Sequence, residues 1–378
     1  MSSEKGVCVV THPLSEAGEN ATRTLLDILA ELGPVSLITA DLPKDSSIRQ
    51  DRDFVELTSK SAGNSVPVAA LRFALNQLRM CAAIRRRPEE VVLFFGATAY
   101  LFPILFARVI GKTVLVEPRG DVPLTLRLTW EQRMPDIVAR VLAGSVWTLE
   151  RAGFAAAHTI VTYTPNMARE LGLDPAAPNV YPHGARYVDT KQFSVQVPFD
   201  ERDDVVGFVG RLDEEKGIRE LAEVATRLPA GVTFRFVGDG PLYNWLGTKL
   251  VEEIDTGDVE LTGWVDHENV SGELNQMKLL VMPSQPTEGL PTIILESLAC
   301  GTPVYATPVA GVPDVVREEE TGLLMKKKDV ESIIGDIRDS LDGDTLGSLS
   351  SRGRRIVENE YSFDAAVERY RTLLNDLD

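Results

Sequence analysis

Glu288-Gly289-Leu290-Pro291-Thr292-Ile293-Ile294-Leu295-Glu296-Ser297-Leu298-Ala299-Cys300-Gly301-Thr302-Pro303-Val304 reads in order as a loop, a helix, a stop and a strand. Pro291 suits the first helical position, where a missing N–H costs nothing. Ile293, Ile294, Leu295 and Leu298 give the helix apolar faces before Gly301-Thr302-Pro303 ends it. Upstream, Leu279 to Met282 is a short apolar run, so the stretch is a strand–helix–strand unit of a parallel sheet. Two carboxylates bracket the helix start. Glu288 precedes it and Glu296 lies about five residues inside, roughly 7.5 Å along the axis at 1.5 Å per residue. The free N–H groups and positive dipole end between them suit an anion. A diphosphate fits that gap, with one glutamate at each side to accept hydrogen bonds from hydroxyls, a ribose at one end and a hexose at the other.

The same alternation runs through the chain. Val7 to Thr11, Val35 to Thr39, Val91 to Phe95, Thr113 to Val116 and Thr159 to Thr162 read as strands, with helices near 20–32, 68–86, 97–110, 133–154 and 165–171. After a turn-rich stretch from Tyr181 to Asp204 the pattern restarts. Val205 to Val209, Val232 to Val237, Val259 to Leu261, Leu279 to Met282 and Val304 to Ala306 are strands, and helices begin near Gly217, Leu242, Asn269, Pro291 and Val312. Alternation of this kind predicts an α/β chain of two doubly wound, Rossmann-like domains facing across a cleft. Their predicted extents are 1–190 and 200–360, with a terminal helix in 361–378. Ligands of such sheets sit beyond the carboxyl ends of the strands.

Composition narrows the partners. The chain has 378 residues, enough for two cores, and a net charge of −17. Residues 1–186 carry 20 Lys+Arg against 19 Asp+Glu, while residues 187–378 carry 19 against 37, so the acid belongs to the second half. Nucleic acid is therefore a poor partner. Within residues 70–151 the balance reverses to 12 basic against 7 acidic, which suits an anionic surface or a solvated helix face. The twenty residues from Val91 to Ile110 are long enough to span a bilayer, but Val91 to Phe95 followed by Gly96 reads as a buried parallel strand and the rest as the helix after it. Cys8, Cys81 and Cys300 lack metal-ligand spacing and read as buried thiols of a reducing cytoplasm. Met1-Ser2-Ser3-Glu4-Lys5 is no secretory leader, so a cytoplasmic location is expected.

Four glycine-rich strand ends stand beside the two glutamates. Val209-Gly210-Arg211 is followed by Lys216, so two cations five residues apart could clamp a diphosphate; Lys216 could equally pair with Glu220 on the same helix. Val237-Gly238-Asp239-Gly240-Pro241 and Leu261-Thr262-Gly263-Trp264-Val265 end the next two strands, their glycines reading as places where a ligand approaches the backbone. Asp342-Gly343-Asp344 and Lys326-Lys327-Lys328 read as turns.

This ordered set, with Met282-Pro283-Ser284, Gly311-Val312-Pro313 and Gly322-Leu323-Leu324, resembles the donor-binding half of the family 4 retaining glycosyltransferases of GT-B fold (glycosyl transferases group 1), over residues 205–325. The resemblance implies a hexosyl transfer from a nucleoside-diphosphate sugar, UDP- or GDP-linked, to a glycan or lipid-linked acceptor, with no metal and no resident cofactor. It implies donor contacts at Gly18, Gly210, Arg211, Lys216, Gly240, Val265, Glu288, Gly289, Leu290, Thr292 and Glu296. Arg211 and Lys216 would neutralise the leaving diphosphate, Glu288 would hold the donor sugar, and Glu296 would hold the ribose. The helix after Tyr361-Ser362-Phe363 resembles the family's last helix, which crosses back to the N-terminal domain.

The first half matches loosely. Gly18-Glu19-Asn20, taken as a loop before a helix at Ala21, resembles the family's glycine loop with one glycine only. In Glu117-Pro118-Arg119-Gly120-Asp121, Arg119 stands where many members have a histidine, and Asp121 and Glu117 are candidates to orient the acceptor. His183 replaces a usual asparagine and also reads as a packed linker histidine. These departures leave two alternatives, a catalytically weak donor-binding partner subunit and a GT-B-fold sugar-nucleotide epimerase. The helix Val68 to Arg87, with Leu71, Leu75, Leu78 and Ala82 at helical spacing beside Arg72, Arg79, Arg85, Arg86 and Arg87, predicts a peripheral membrane contact through residues 68–87, on the inner face.

Overall fold

The computed structural model describes residues 5–12, 14, 16–58, 66–131, 133–285 and 289–377. The chain divides into two compact units, unit 1 of Met1–Ala185 with Ala366–Asp378 and unit 2 of Arg186–Ala365.

Unit 1 is built on β1 (Val7–Thr11), β2 (Val35–Thr39), β3 (Asp53–Glu56), β4 (Val91–Phe95), β5 (Thr113–Glu117), β6 (Thr159–Val161) and β7 (Val180–Tyr181), paired in the order β3-β2-β1-β4-β5-β6-β7. Every pairing is parallel. β1 and β4 are buried along their whole length, which is why they read as unbroken apolar runs. Val91–Phe95 is thus a core strand, and among the described residues no helix is long and apolar enough to cross a membrane.

Unit 2 repeats the plan with β8 (Val205–Val209), β9 (Thr233–Val237), β10 (Val259–Gly263), β11 (Leu279–Met282), β12 (Val304–Ala306) and β13 (Leu323–Leu324), ordered β10-β9-β8-β11-β12-β13. In each sheet the first strand pairs on both sides, so strand order reverses at β1/β4 and at β8/β11. A crevice opens at such a switch point, beyond the carboxyl ends of the two strands.

Several expectations need correction. The helix expected near 133–154 is Asp136–Ala156, with Pro135 at its N-cap, and a further helix, Val122–Glu131, precedes it that was not expected. The first helix starts at Glu16 rather than Ala21, so Gly18 lies in its first turn, its carbonyl accepting from Thr22 Oγ1 at 2.8 Å. Pro291 sits one place before the helix Thr292–Ala299, in extended conformation. β3 and β7 went unread, being short and only partly buried.

The terminal helix Phe363–Asn375 has residues from Ala366 onward in unit 1. Tyr370 is fully buried there and donates to Glu117 Oε2. Glu117 Oε1 accepts from Ala185 N at 3.1 Å. Glu117, fully buried at the end of β5, is therefore engaged in holding this helix and the β7 exit.

Candidate functional site

In unit 2 the loops after β8 and β11 meet at the switch point. Gly217 has φ +71°, and a Cβ there would lie 2.8 Å from Pro283 Cγ. Gln285 N donates to Glu215 O at 2.8 Å, which ties the two loops together. Between them the turn Glu214–Lys216 carries Lys216, only 6% exposed. Arg211 is the opposite case. Its side chain is 63% exposed and is held by Asp213 and Glu215, each at 2.6 Å. The two expected cations thus rise from one short loop, one buried and one at the surface in exchangeable ion pairs. Burial raises the Asp213 carboxyl, and the Arg211 guanidinium opposes that rise.

The glycines of the strand ends serve the backbone. A Cβ on Gly238, φ +131°, would meet Gly210 O at 2.0 Å, and one on Gly240 would lie 2.5 Å from Leu212 O. They let the loops after β8 and β9 lie against each other.

Glu296 is the fifth residue of the helix Thr292–Ala299 and is 7% exposed. Its Oε1 lies 3.0 Å from His267 Nε2. His267 stands on the turn His267–Asn269 beyond β10, with its ring 5.3 Å from that of Phe193. Sequence reading missed both partners, since neither lies in a motif. The only signal for His267 was its position past the end of β10. Gly289 and Leu290 are buried, and Gly289 O accepts from Gly311 N at 2.6 Å. Thr292 is exposed and Val265 half-buried, next to Trp264, which is 70% exposed. Glu288 lies outside the described residues.

In unit 1 the expected site residues stand apart from this cluster in sequence and have local roles. Asp121 Oδ1 accepts from Leu124 N at 2.8 Å and so caps the helix Val122–Glu131. Arg119 lies over the Phe95 ring, 5.6 Å from its centroid. His183 meets the Tyr181 ring edge-on at 5.6 Å. Asp342-Gly343-Asp344 is a bend between two helices. Lys328 does more than a solvated turn requires, donating to Ser284 O at 3.3 Å at the end of β11. Among the described residues, no group of three or more His, Cys, Asp or Glu is placed to hold a metal ion.

Comparison with known proteins bears on this arrangement. The family model described as glycosyl transferases group 1 matches residues 203–342, a span holding all of the unit 2 cluster except Phe193. The chain is 28% identical to 2-deoxystreptamine glucosyltransferase of Streptomyces kanamyceticus, covering 90% of this chain and 93% of that one. It is 28% identical to 2-deoxystreptamine N-acetyl-D-glucosaminyltransferase of Streptomyces fradiae, over 74% and 68%. With the putative colanic acid biosynthesis glycosyltransferase WcaL of Salmonella typhimurium it shares 30% identity over 45% of this chain, and the match spans under half of that protein, 44%. Sucrose-phosphate synthase from Thermosynechococcus elongatus superposes with a TM-score of 0.75 at 19% identity, over 99% of each chain. Anabaena Alr3699/HepE, solved in complex with UDP, gives 0.71 at 13%, over 97% and 99%. These likenesses show the GT-B fold.

Proposed function

We propose, from the match of residues 203–342 to the model described as glycosyl transferases group 1, that the chain moves a hexosyl group, with retention, from a nucleoside-diphosphate sugar to a glycan or lipid-linked acceptor. The observation that carries this reading is the pair Arg211 and Lys216 on one loop of the β8/β11 switch point, tied through Glu215 to the loop after β11 that leads to the helix bearing Glu296. Departure of the diphosphate loads negative charge on its β-phosphate oxygens. Lys216, fixed and shielded from water, is suited to that charge, and Arg211 can exchange Asp213 and Glu215 for it. Glu296, already hydrogen-bonding His267, presents a carboxylate for ribose hydroxyls. Glu288 is assigned the donor sugar. The two cations supply the countercharge that a metal supplies elsewhere, so no metal or resident cofactor is assigned.

UDP-sugars head the donor panel because HepE is described in complex with UDP and UDP-glucose. The acceptor is assigned to a membrane-borne carrier on the strength of unit 1's surface. The apolar stripe of the helix Val66–Arg86 faces solvent, Leu75 at 42% and Leu78 at 56%; the side chain of Leu71 lies outside the described ones. The helices Leu101–Val109 and Asp136–Ala156, packed in succession beside it, add exposed Phe102, Leu105, Val109, Ile137, Val141 and Trp147. Exposed Arg79, Arg85, Arg86, Arg108 and Arg140 accompany them. Such a surface suits anionic headgroups without spanning the bilayer.

The test is turnover of UDP- and GDP-sugars by wild type, Lys216→Ala and Glu296→Ala, before and after exhaustive EDTA treatment. Each variant is expected to lose about 2–4 kcal/mol of transition-state binding while melting like wild type. EDTA is expected to change nothing. Wild-type rates in both variants at saturating donor would sink the assignment. A free or rearranged sugar as sole product would favour the epimerase alternative, and acceptor-independent slow hydrolysis the partner-subunit one.

A further inference from the structure

The switch point of unit 1, between β1 and β4, carries its own cluster. β1 is followed by His12, β4 by Gly96 and, one strand on, β5 by Arg119. Gly96 has φ +65°, and a Cβ there would come within 2.9 Å of Arg119 Cδ and 3.3 Å of His12 Cε1, so the three strand ends converge on one spot. The His12 backbone is pinned, its carbonyl accepting from Thr39 Oγ1 at 3.2 Å on the neighbouring strand. Its Nδ1 is buried and has no hydrogen-bond partner among the described residues. A buried ring nitrogen without a partner costs free energy unless a ligand satisfies it, and this one lies where a doubly wound sheet receives ligands.

We propose that His12 is the acceptor-binding residue of unit 1, hydrogen-bonding the attacking hydroxyl, with Gly96 keeping the space beside its ring open. The proposal rests on the transferase reading and adds to it a residue that no motif marks. Burial, and then the Arg119 guanidinium, hold the imidazole down to about 4. At neutral pH it is uncharged, so one ring nitrogen accepts a hydrogen bond and the other donates one.

The experiment measures nucleoside-diphosphate release from UDP-glucose, UDP-galactose, UDP-N-acetylglucosamine and GDP-mannose, with and without octyl glucoside, galactoside, mannoside and N-acetylglucosaminide. Wild type is compared with His12→Ala and His12→Asn. Glycoside-stimulated release is expected to fall about 100-fold in His12→Ala, the scale of a misplaced reactant, and less in His12→Asn. The donor-induced thermal shift should stay unchanged in both. Should either variant fail to fold, imidazole nitrogen resonances of the wild type, which has four histidines, give the second readout: the His12 signal should move on adding the stimulating glycoside. Wild-type stimulation in His12→Ala, no glycoside stimulating the wild type, or an unmoved His12 resonance overturns the proposal. No donor-induced shift in the wild type overturns the transferase reading itself.

Discussion

Glu150 is 1% exposed on the helix Asp136–Ala156, where its Oε1 accepts from Thr98 Oγ1 at 2.6 Å. Desolvation pushes its carboxyl up to about 7, the Thr98 hydrogen bond working against the rise. A folded-state value above the unfolded one gives stability that is full below the unfolded pKa, ordinarily 4.5, and is lost as pH rises through the folded value. At 1.36 kcal/mol per unit this group removes up to about 3 kcal/mol between pH 4.5 and 8. Glu150→Gln is expected to be close to wild type near pH 4.5 and more stable at pH 8. Urea unfolding at the two pH values checks it, and equal wild-type and variant slopes with pH would refute the buried-acid assignment. Glu296 differs from Glu150 in having a half-solvated partner, His267, at 66% side-chain exposure.

At the scale of elements, the terminal helix Phe363–Asn375 is held in unit 1 by a few long-range polar contacts. Tyr181 Oη donates to Arg369 O at 2.8 Å, Lys5 Nζ to Leu374 O at 3.0 Å, and Tyr370 to Glu117. The last is the costly one to break, since burial and the adjacent Glu117 carboxylate push the Tyr370 phenol well up. Tyr370→Phe leaves a buried carboxylate with one partner fewer, and should cost roughly 2–3 kcal/mol. A lowered urea midpoint with unchanged slope is the expected reading, and an unchanged midpoint would show that Glu117 finds another donor.

For the whole molecule, charge separates the halves: residues 187–378 carry 19 Lys+Arg against 37 Asp+Glu, whereas residues 70–151 hold the basic excess. On the proposed membrane contact, attraction to anionic lipid would be local to unit 1 and screened by salt over about 8–10 Å at physiological strength, while the exposed apolar side chains would contribute at any salt. Co-sedimentation with phosphatidylglycerol vesicles is expected to fall but persist at high salt, and to weaken in Arg85/Arg86/Arg87→Ser. Val141→Ser with Trp147→Ser should abolish the salt-resistant part. No binding by wild type at any salt would leave a soluble acceptor.

The two doubly wound sheets were legible because buried parallel strands must be continuous apolar runs, and Val7 to Thr11, Val91 to Phe95 and Val205 to Val209 are such runs with the bounds the structure has. Arg211, Lys216 and Glu296 were legible because strand ends and a helix start fix where such side chains emerge. Short partly buried strands carry too few residues for a periodic signal, so β3 and β7 were not. What only tertiary structure decided were meetings across sequence distance. Glu117 is taken up by Ala185 and Tyr370, His267 reaches Glu296, and His12 converges with Gly96 and Arg119. Sequence fixes which residues end each strand, but strand order, 3-2-1-4-5 in type, decides which of those ends are neighbours, and hydrogen bonds and burial then decide which side chains are used up in holding the fold.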